Sequence, residues 1–334
     1  MRQDTIKEKE FINLTGNTPL IDLSELTQTN SVQLLAKCEF MNPGFSMKDR
    51  IARHILDRAE QARELKTGDT VVCASSGNTG CSIAMQGNMR GYRVIIVTSE
   101  KCSTEKQNHI RSLNAELIVL PKGEDYIAHG KNLAKEKGYF DVDQYNNKNN
   151  PDAYYHSLGP ELWADTQGRI SHFVMTGSTY GCISGTAKYL KEQNPAIEVI
   201  LVDPDWSKIY DFFYHSHEAG NKTTSLKSAE SSIIEGAGKK KPTSCFDPTV
   251  IDKVIKVSDQ AAVEMCHRLC IKQGLLVGGS SGLNTAGALR VAETAKPDSV
   301  IVTVLCDNGI KYLSKIYNAT YLAEQGIYLH HGQQ

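Results

Sequence analysis

The sequence predicts an α/β protein of two doubly wound units, each a parallel sheet covered by helices on both faces. Three observations predict it. Short apolar, β-branched runs recur along the chain, with helical periodicity between most of them. The runs are continuously apolar, as in strands buried on both faces. The chain has 334 residues, about two domains at ~150 residues each, so the runs suit two open sheets better than a closed barrel of repeats.

In chain order the strands are expected at Thr70–Cys73, Val94–Val97, Leu117–Leu120, Phe173–Met175, Val199–Val202, Val254–Val257, Leu275–Val277 and Val300–Leu305. Helices are expected over roughly Lys48–Glu64, Thr79–Arg90, Thr104–Leu113, Ile127–Glu136, Gly181–Gln193, Asp259–Gln273 and Ser281–Glu293; in the first, Ile51, Ile55, Leu56 and Ala59 form one stripe. Tyr145–Tyr155, with its Asn run, and Tyr214–Pro242, with Lys239-Lys240-Lys241, read as loops.

Charge and cysteine content bound the function. Lys plus Arg number 37 against 38 Asp plus Glu, a net charge of -1, which argues against binding nucleic acid or an anionic membrane through bulk charge. No run of ~18 apolar residues offers a membrane span, and Met1-Arg2-Gln3-Asp4-Thr5 lacks the apolar core of a signal peptide. Nine cysteines, none in the Cys-x-x-Cys spacing of a zinc site, are expected to be reduced thiols of a cytoplasmic protein without a metal.

Three segments concentrate chemistry, two of them at strand-to-helix junctions, where doubly wound sheets bind ligands. Ala74-Ser75-Ser76-Gly77-Asn78-Thr79-Gly80 offers backbone N–H groups, hydroxyls and an amide at a helix start, suited to a carboxylate. A helix cap needs one such residue; four within five positions exceed that need. Thr176-Gly177-Ser178-Thr179-Tyr180-Gly181-Cys182 is either a phosphate cradle or a capped turn. It matches neither the P-loop nor the dinucleotide fingerprint. Asn42-Pro43-Gly44-Phe45-Ser46-Met47-Lys48-Asp49-Arg50 places Lys48 at a helix start, where the dipole opposes its charge. That is either an exposed lysine or an amine with a lowered pKa poised to attack a carbonyl.

Taken together, these segments resemble the fold-type II pyridoxal-phosphate enzymes, specifically the cysteine synthase and cystathionine β-synthase family. The resemblance runs from Gly16-Asn17-Thr18-Pro19-Leu20 through Lys37–Gly44, Ser46–Arg50, Ser76–Gly80, Gln144-Tyr145-Asn146-Asn147, Gly159-Pro160-Glu161-Leu162, Val202-Asp203-Pro204 and Gly279-Ser280-Ser281-Gly282 to Asp307-Asn308-Gly309. It implies a tryptophan synthase β-like fold with the active site between the units. The smaller unit would span 43–152; 1–42 plus 153–334 would form the larger. Lys48 would form the Schiff base with pyridoxal 5'-phosphate and move the α-proton, and Asn78 would contact the ring hydroxyl. The loop of Ser178, Thr179, Tyr180, Gly181 and Cys182 would hold the phosphate. Ser75, Ser76, Gly77, Thr79 and Gln144 would hold the substrate carboxylate, with Gly236 facing the entrance. Asn308 would face the ring nitrogen, where the family usually has Ser.

The implied reaction is β-replacement on serine, an O-activated serine or cysteine through an aminoacrylate intermediate, of cysteine synthase or cystathionine β-synthase type, by a cytoplasmic homodimer. Ser178-Thr179 at the start of the phosphate loop resembles the diaminopropionate branch, which keeps an amine nucleophile and O-phosphoserine as an alternative. Cysteine β-elimination or hydrolysis releasing sulfide, and a non-catalytic cysteine-synthase-like sensor, are further alternatives. Cys73, Cys182 and Cys306 are expected near the cofactor, and the extra length around Tyr210–Lys227 is where specificity is expected to differ. Neither a haem-binding segment before Ile12 nor a regulatory domain after Tyr321 is expected.

Overall fold

The computed structural model describes residues 11–28, 31–215 and 232–329. The strands are β1 Leu20–Asp22, β2 Gln33–Cys38, β3 Thr70–Ala74, β4 Arg93–Ser99, β5 Glu116–Leu120, β6 Phe140–Asp141, β7 His172–Thr176, β8 Glu198–Pro204, β9 Lys253–Val257 and β10 Val300–Leu305. The helices are α1 Lys48–Gln61, α2 Asn78–Met89, α3 Thr104–Ser112, α4 Tyr126–Lys137, α5 Asn149–Tyr155, α6 Leu158–Asp165, α7 Gly181–Gln193, α8 Ile209–His215, α9 Asp259–Gln273, α10 Gly279–Ala292 and α11 Ala319–Glu324. Two sheets form, one of order β1-β2-β10-β7-β8-β9 and one of order β5-β4-β3-β6. All pairings are parallel except β1 with β2, which is antiparallel at the edge of the larger sheet.

Three expectations need correction. Leu275–Val277 is not a strand; Val277 makes one isolated bridge to Asn308, because the chain leaves the left-handed cap Gly274 and enters α10 almost at once. Tyr145–Tyr155 is not all loop, since Asn149–Tyr155 forms α5, packed against α1 and α7. Tyr210–His215 lies in α8, while residues 216–227 of the segment expected to carry specificity, and 216–231 of the expected Tyr214–Pro242 loop, lie outside the described residues. Met1–Thr5 also lie outside them. No described helix is long and apolar enough to cross a membrane.

A buried ionic cluster fixes the start of α1 against the larger sheet. Arg50 is 3% exposed and grips Glu39 through two bonds of 2.7 and 2.6 Å and Glu161 through two of 2.7 and 2.8 Å. Lys37, on β2, reaches Glu161 at 2.9 Å and Asp165 at 2.7 Å. The Thr18 hydroxyl donates to Glu39 at 2.7 Å. Burial alone would raise the Glu161 carboxyl; the Arg50 hydrogen bonds and charge, with Lys37, overcome it and hold the group at about 2. Bidentate guanidinium–carboxylate geometry satisfies the charges that burial strips of water. Lys48 lies two residues before Arg50, so the cluster sets its position.

Candidate active site

The first turns of four helices converge on one cavity. Lys48 of α1, Asn78 of α2, Cys182 of α7 and Ser280 of α10 line it, with Gly177–Tyr180, Glu235, Gly236 and Cys306. Each helix start leaves backbone N–H groups without an acceptor in its own helix. The cavity therefore carries a local positive field in a chain of net charge -1.

Lys48 is partly buried, and among the described residues its Nζ has no hydrogen-bond acceptor and no carboxylate within ion-pair distance. Burial pushes its ammonium below the ordinary lysine value. That favours a neutral amine with a free lone pair. Burial raises the neighbouring thiols, Cys182 strongly and Cys306 to about 12, so both stay protonated. Cys73, buried on β3, is not among the residues that line this cavity.

Asn78 is held from both ends of its amide. Its Nδ2 donates to Asp307 Oδ2 at 2.6 Å, and its Oδ1 accepts from Lys311 Nζ at 3.0 Å. Lys311 is anchored in turn on the Gly44 carbonyl at 2.8 Å, and the Tyr312 hydroxyl donates to Asp307 at 2.6 Å. An amide clamped this way keeps one N–H for the cavity.

The segment after β3 is built differently from a row of free hydroxyls. Ser75 Oγ accepts from the Gly77 and Gly80 N–H groups at 3.1 and 3.0 Å, so it caps α2. Thr79 donates to Gln144 Oε1 at 2.6 Å, and Gln144 Nε2 donates to the Ala74 carbonyl at 2.7 Å. Both are buried braces of the loop. Ser76 lines a second, larger cavity that shares Ser178, Glu235 and Gly236 with the first. Gly77 has φ +150°, and a Cβ there would meet the Lys106 stem at 2.4 Å. Lys106 is itself buried, donating to Glu235 Oε2 and to the Tyr312 hydroxyl, each at 2.8 Å.

In the loop after β7, Ser178, Thr179 and Tyr180 line the cavity, and Cys182 follows in the first turn of α7. Tyr180 takes a left-handed φ of +64°, with its ring buried 4.9 Å from that of Phe246. Gly181 faces away, against α5, where a Cβ would sit 2.1 Å from Asn150 Oδ1. Asn308 does not line the cavity: its Oδ1 accepts from the Ile310 N–H at 3.0 Å and caps a short 3-10 turn. Ser280 lines it instead. Within Gly279-Ser280-Ser281-Gly282 the sequence signal for this residue is a Ser beside glycines at a helix start. Glu235, which precedes the entrance glycine Gly236, also lines the cavity. Among the described residues no group of three or more His, Cys, Asp and Glu is placed to hold a metal ion.

Comparison with known proteins gives concordant matches. The family model described as pyridoxal-phosphate dependent enzyme matches residues 12–307. A cysteine synthase of Dictyostelium discoideum is 35% identical over 323 residues, covering 93% of this chain and 85% of that protein. The crystal structure of an O-ureido-L-serine synthase superimposes with a TM-score of 0.85 at 28% identity, over 93% of this chain and 96% of that one. That of an O-acetylserine dependent cystathionine β-synthase from Helicobacter pylori gives 0.83 at 31% identity, over 93% and 99%.

Proposed function

The chain belongs to the pyridoxal-phosphate dependent enzymes, and from that premise we propose that it replaces the β-substituent of serine, an O-activated serine or cysteine with an incoming nucleophile. The observation that carries this reading is Lys48: an amine without a carboxylate in ion-pair distance among the described residues, in one cavity with an anion-accepting helix start and a clamped amide. The residues fit the cofactor. The first turn of α7 and its Gly/Ser/Thr loop make a cradle for a phosphate. Sulfide or homocysteine is the leading nucleophile.

Bound there, pyridoxal phosphate supplies an aldehyde carbon that amines attack and a ring that withdraws electrons from the substrate α-carbon. Lys48 would hold the cofactor through Nζ; displaced by the incoming substrate amine, the freed Nζ would take the substrate α-proton and later return it. The N–H groups of Ser178, Thr179, Tyr180 and Cys182 would hold the phosphate. Asn78 would offer its remaining N–H to the ring oxygen, with its amide held by Lys311 and Asp307. Ser76 and the backbone of Gly77 at the start of α2 bind the substrate carboxylate. Ser75, Thr79 and Gln144 shape that loop from behind. Gly236 borders the entrance.

We assign the ring-nitrogen position to Ser280 rather than Asn308, because Ser280 lines the cavity. A neutral hydroxyl leaves the ring a weaker electron sink than a carboxylate would, which suits chemistry at the β-carbon. Ser280→Asp is expected to shift the visible absorbance of the loaded protein and to divert product away from replacement, while Asn308→Asp changes neither. The opposite pattern returns the role to Asn308. Alongside this, residues 43–152 form the smaller unit around the four-stranded sheet, and the enzyme works as a cytoplasmic homodimer; nine unpaired cysteines support a reducing compartment.

The test is spectroscopic. Purified protein is expected to bind pyridoxal phosphate with visible absorbance, and its spectrum to change on mixing with the true donor among serine, O-acetylserine, O-phosphoserine and cysteine. Protein that stays colourless with excess cofactor overturns the reading. Protein that binds cofactor and donor yet releases no product with any nucleophile favours the sensor.

A further inference from the structure

The larger cavity that opens onto the Lys48 site has about 640 Å³ and is unusually basic for this chain. Five lysines line it, Lys101, Lys122, Lys239, Lys240 and Lys315, against two carboxylates, Glu100 and Glu235. Glu235 is already engaged by Lys106 and Lys315. Glu100 accepts the Lys122 backbone N–H at 3.2 Å. Among the described residues, the other four ammonium groups have no carboxylate within ion-pair distance.

Lys239 is the informative one. It is not fully exposed, as an uncommitted lysine normally is. It stands 4.2 Å from the centre of the Tyr145 ring, a cation–π contact that fixes the side chain, while the Asp125 carboxylate attracts its charge from beyond ion-pair distance. Tyr145 is held in place by a 2.9 Å hydrogen bond between its hydroxyl and that of Tyr126, which lines the same cavity. Burial lowers the Lys239 ammonium below its ordinary value. A positioned, partly desolvated cation lowers its free energy by meeting an anion.

We propose that this mouth binds a second anionic group of the reacting molecules, a phosphate monoester or an additional carboxylate, beyond the α-carboxylate held at the start of α2. This rests on the β-replacement reading above and narrows its substrate class. Two sources carry that chemistry: a phosphate leaving group on the donor, or a carboxylate-bearing nucleophile. Either would extend from the Lys48 cavity past Ser76, Ser178 and Gly236, which border the mouth.

The test uses the loaded holoenzyme. One arm measures kcat/KM for O-phosphoserine against O-acetylserine with sulfide as nucleophile. The other holds the preferred donor and compares glutamate with glutamine as amine nucleophiles, and mercaptosuccinate with mercaptoethanol as thiols. In at least one arm the anionic member is expected to be preferred tenfold or more. That preference should shrink with rising salt, and Lys239→Ala or the pair Lys101→Ala/Lys122→Ala should cut the ratio at least fivefold. The ratio cancels any general loss of folded enzyme. Inorganic phosphate, added alone, is expected to compete with the anionic member and to do so more weakly in Lys239→Ala. Turnover of O-acetylserine with no anionic preference in either arm overturns the proposal while leaving the β-replacement reading intact. Absence of turnover and of any spectral change with every donor overturns both.

Discussion

Lys48→Ala is expected to lower turnover by about 10³-fold or more, because one amine holds the cofactor carbon and moves the α-proton. The two roles are separable. Loss of covalent attachment should appear as a changed absorbance spectrum and as cofactor lost on gel filtration, and loss of the proton carrier as a failure to exchange the substrate α-hydrogen with deuterated solvent. An added primary amine should restore part of the exchange. The environment argues for the size of the effect: among the described residues Nζ has no carboxylate within ion-pair distance, and burial lowers its ammonium below the ordinary value despite the attraction of Asp307. A structural lysine in a cleft would carry an acceptor, as Lys106 and Lys256 do at 2.8 Å from Glu235 and Asp203 and Lys311 does at 2.8 Å from the Gly44 carbonyl. Turnover within tenfold of the parent would falsify the assignment.

Arg50→Met is expected to be the most damaging change away from the cavity. It leaves Glu39 buried and Glu161 largely buried, and breaking a buried pair by removing one partner costs about 3–5 kcal/mol. At this chain length that corresponds to a fall in melting temperature of about 4–7 °C. The pH dependence gives a second readout. Glu161 is held at about 2 in the folded state, below the ordinary glutamate value of 4.5. Its contribution is therefore complete above the unfolded value and is lost as pH falls toward the folded one. Parent protein should lose stability more steeply than Arg50→Met between about pH 5 and pH 2. Parallel pH–stability curves, or a melting shift under about 2 °C, would count against the cluster as an anchor.

The parts of the fold legible in the sequence are those whose cause is local. Val94–Val97 and Val300–Leu305 lie in strands because a run of β-branched residues needs burial on both faces, and both lie inside the observed elements. β2 escaped reading because Lys37 interrupts its apolar run; that charge is tolerated by Glu161 and Asp165, more than 120 residues away. The α5 segment Asn149–Tyr155 has poor helix formers and a proline, and packing against α1 and α7 overrides propensity. The same division holds at the site. Lys48, Asn78 and the loop after β7 stand at helix starts that sequence can locate. Whether Asn308 or Ser280 reaches the cavity depends on how two distant turns cross at the Val277–Asn308 bridge, which no local pattern encodes.

The clamp on Asn78 bears on how the protein is made. Asn78 and its partner Asp307 are 229 positions apart, and Lys311 lies further still. A ribosome-bound chain thus carries Lys48 and the start of α2 long before the residues that orient the amide exist. A fragment that stops short of Lys311 lacks part of the clamp, so the reactive amine is synthesised well before it can become part of a working site.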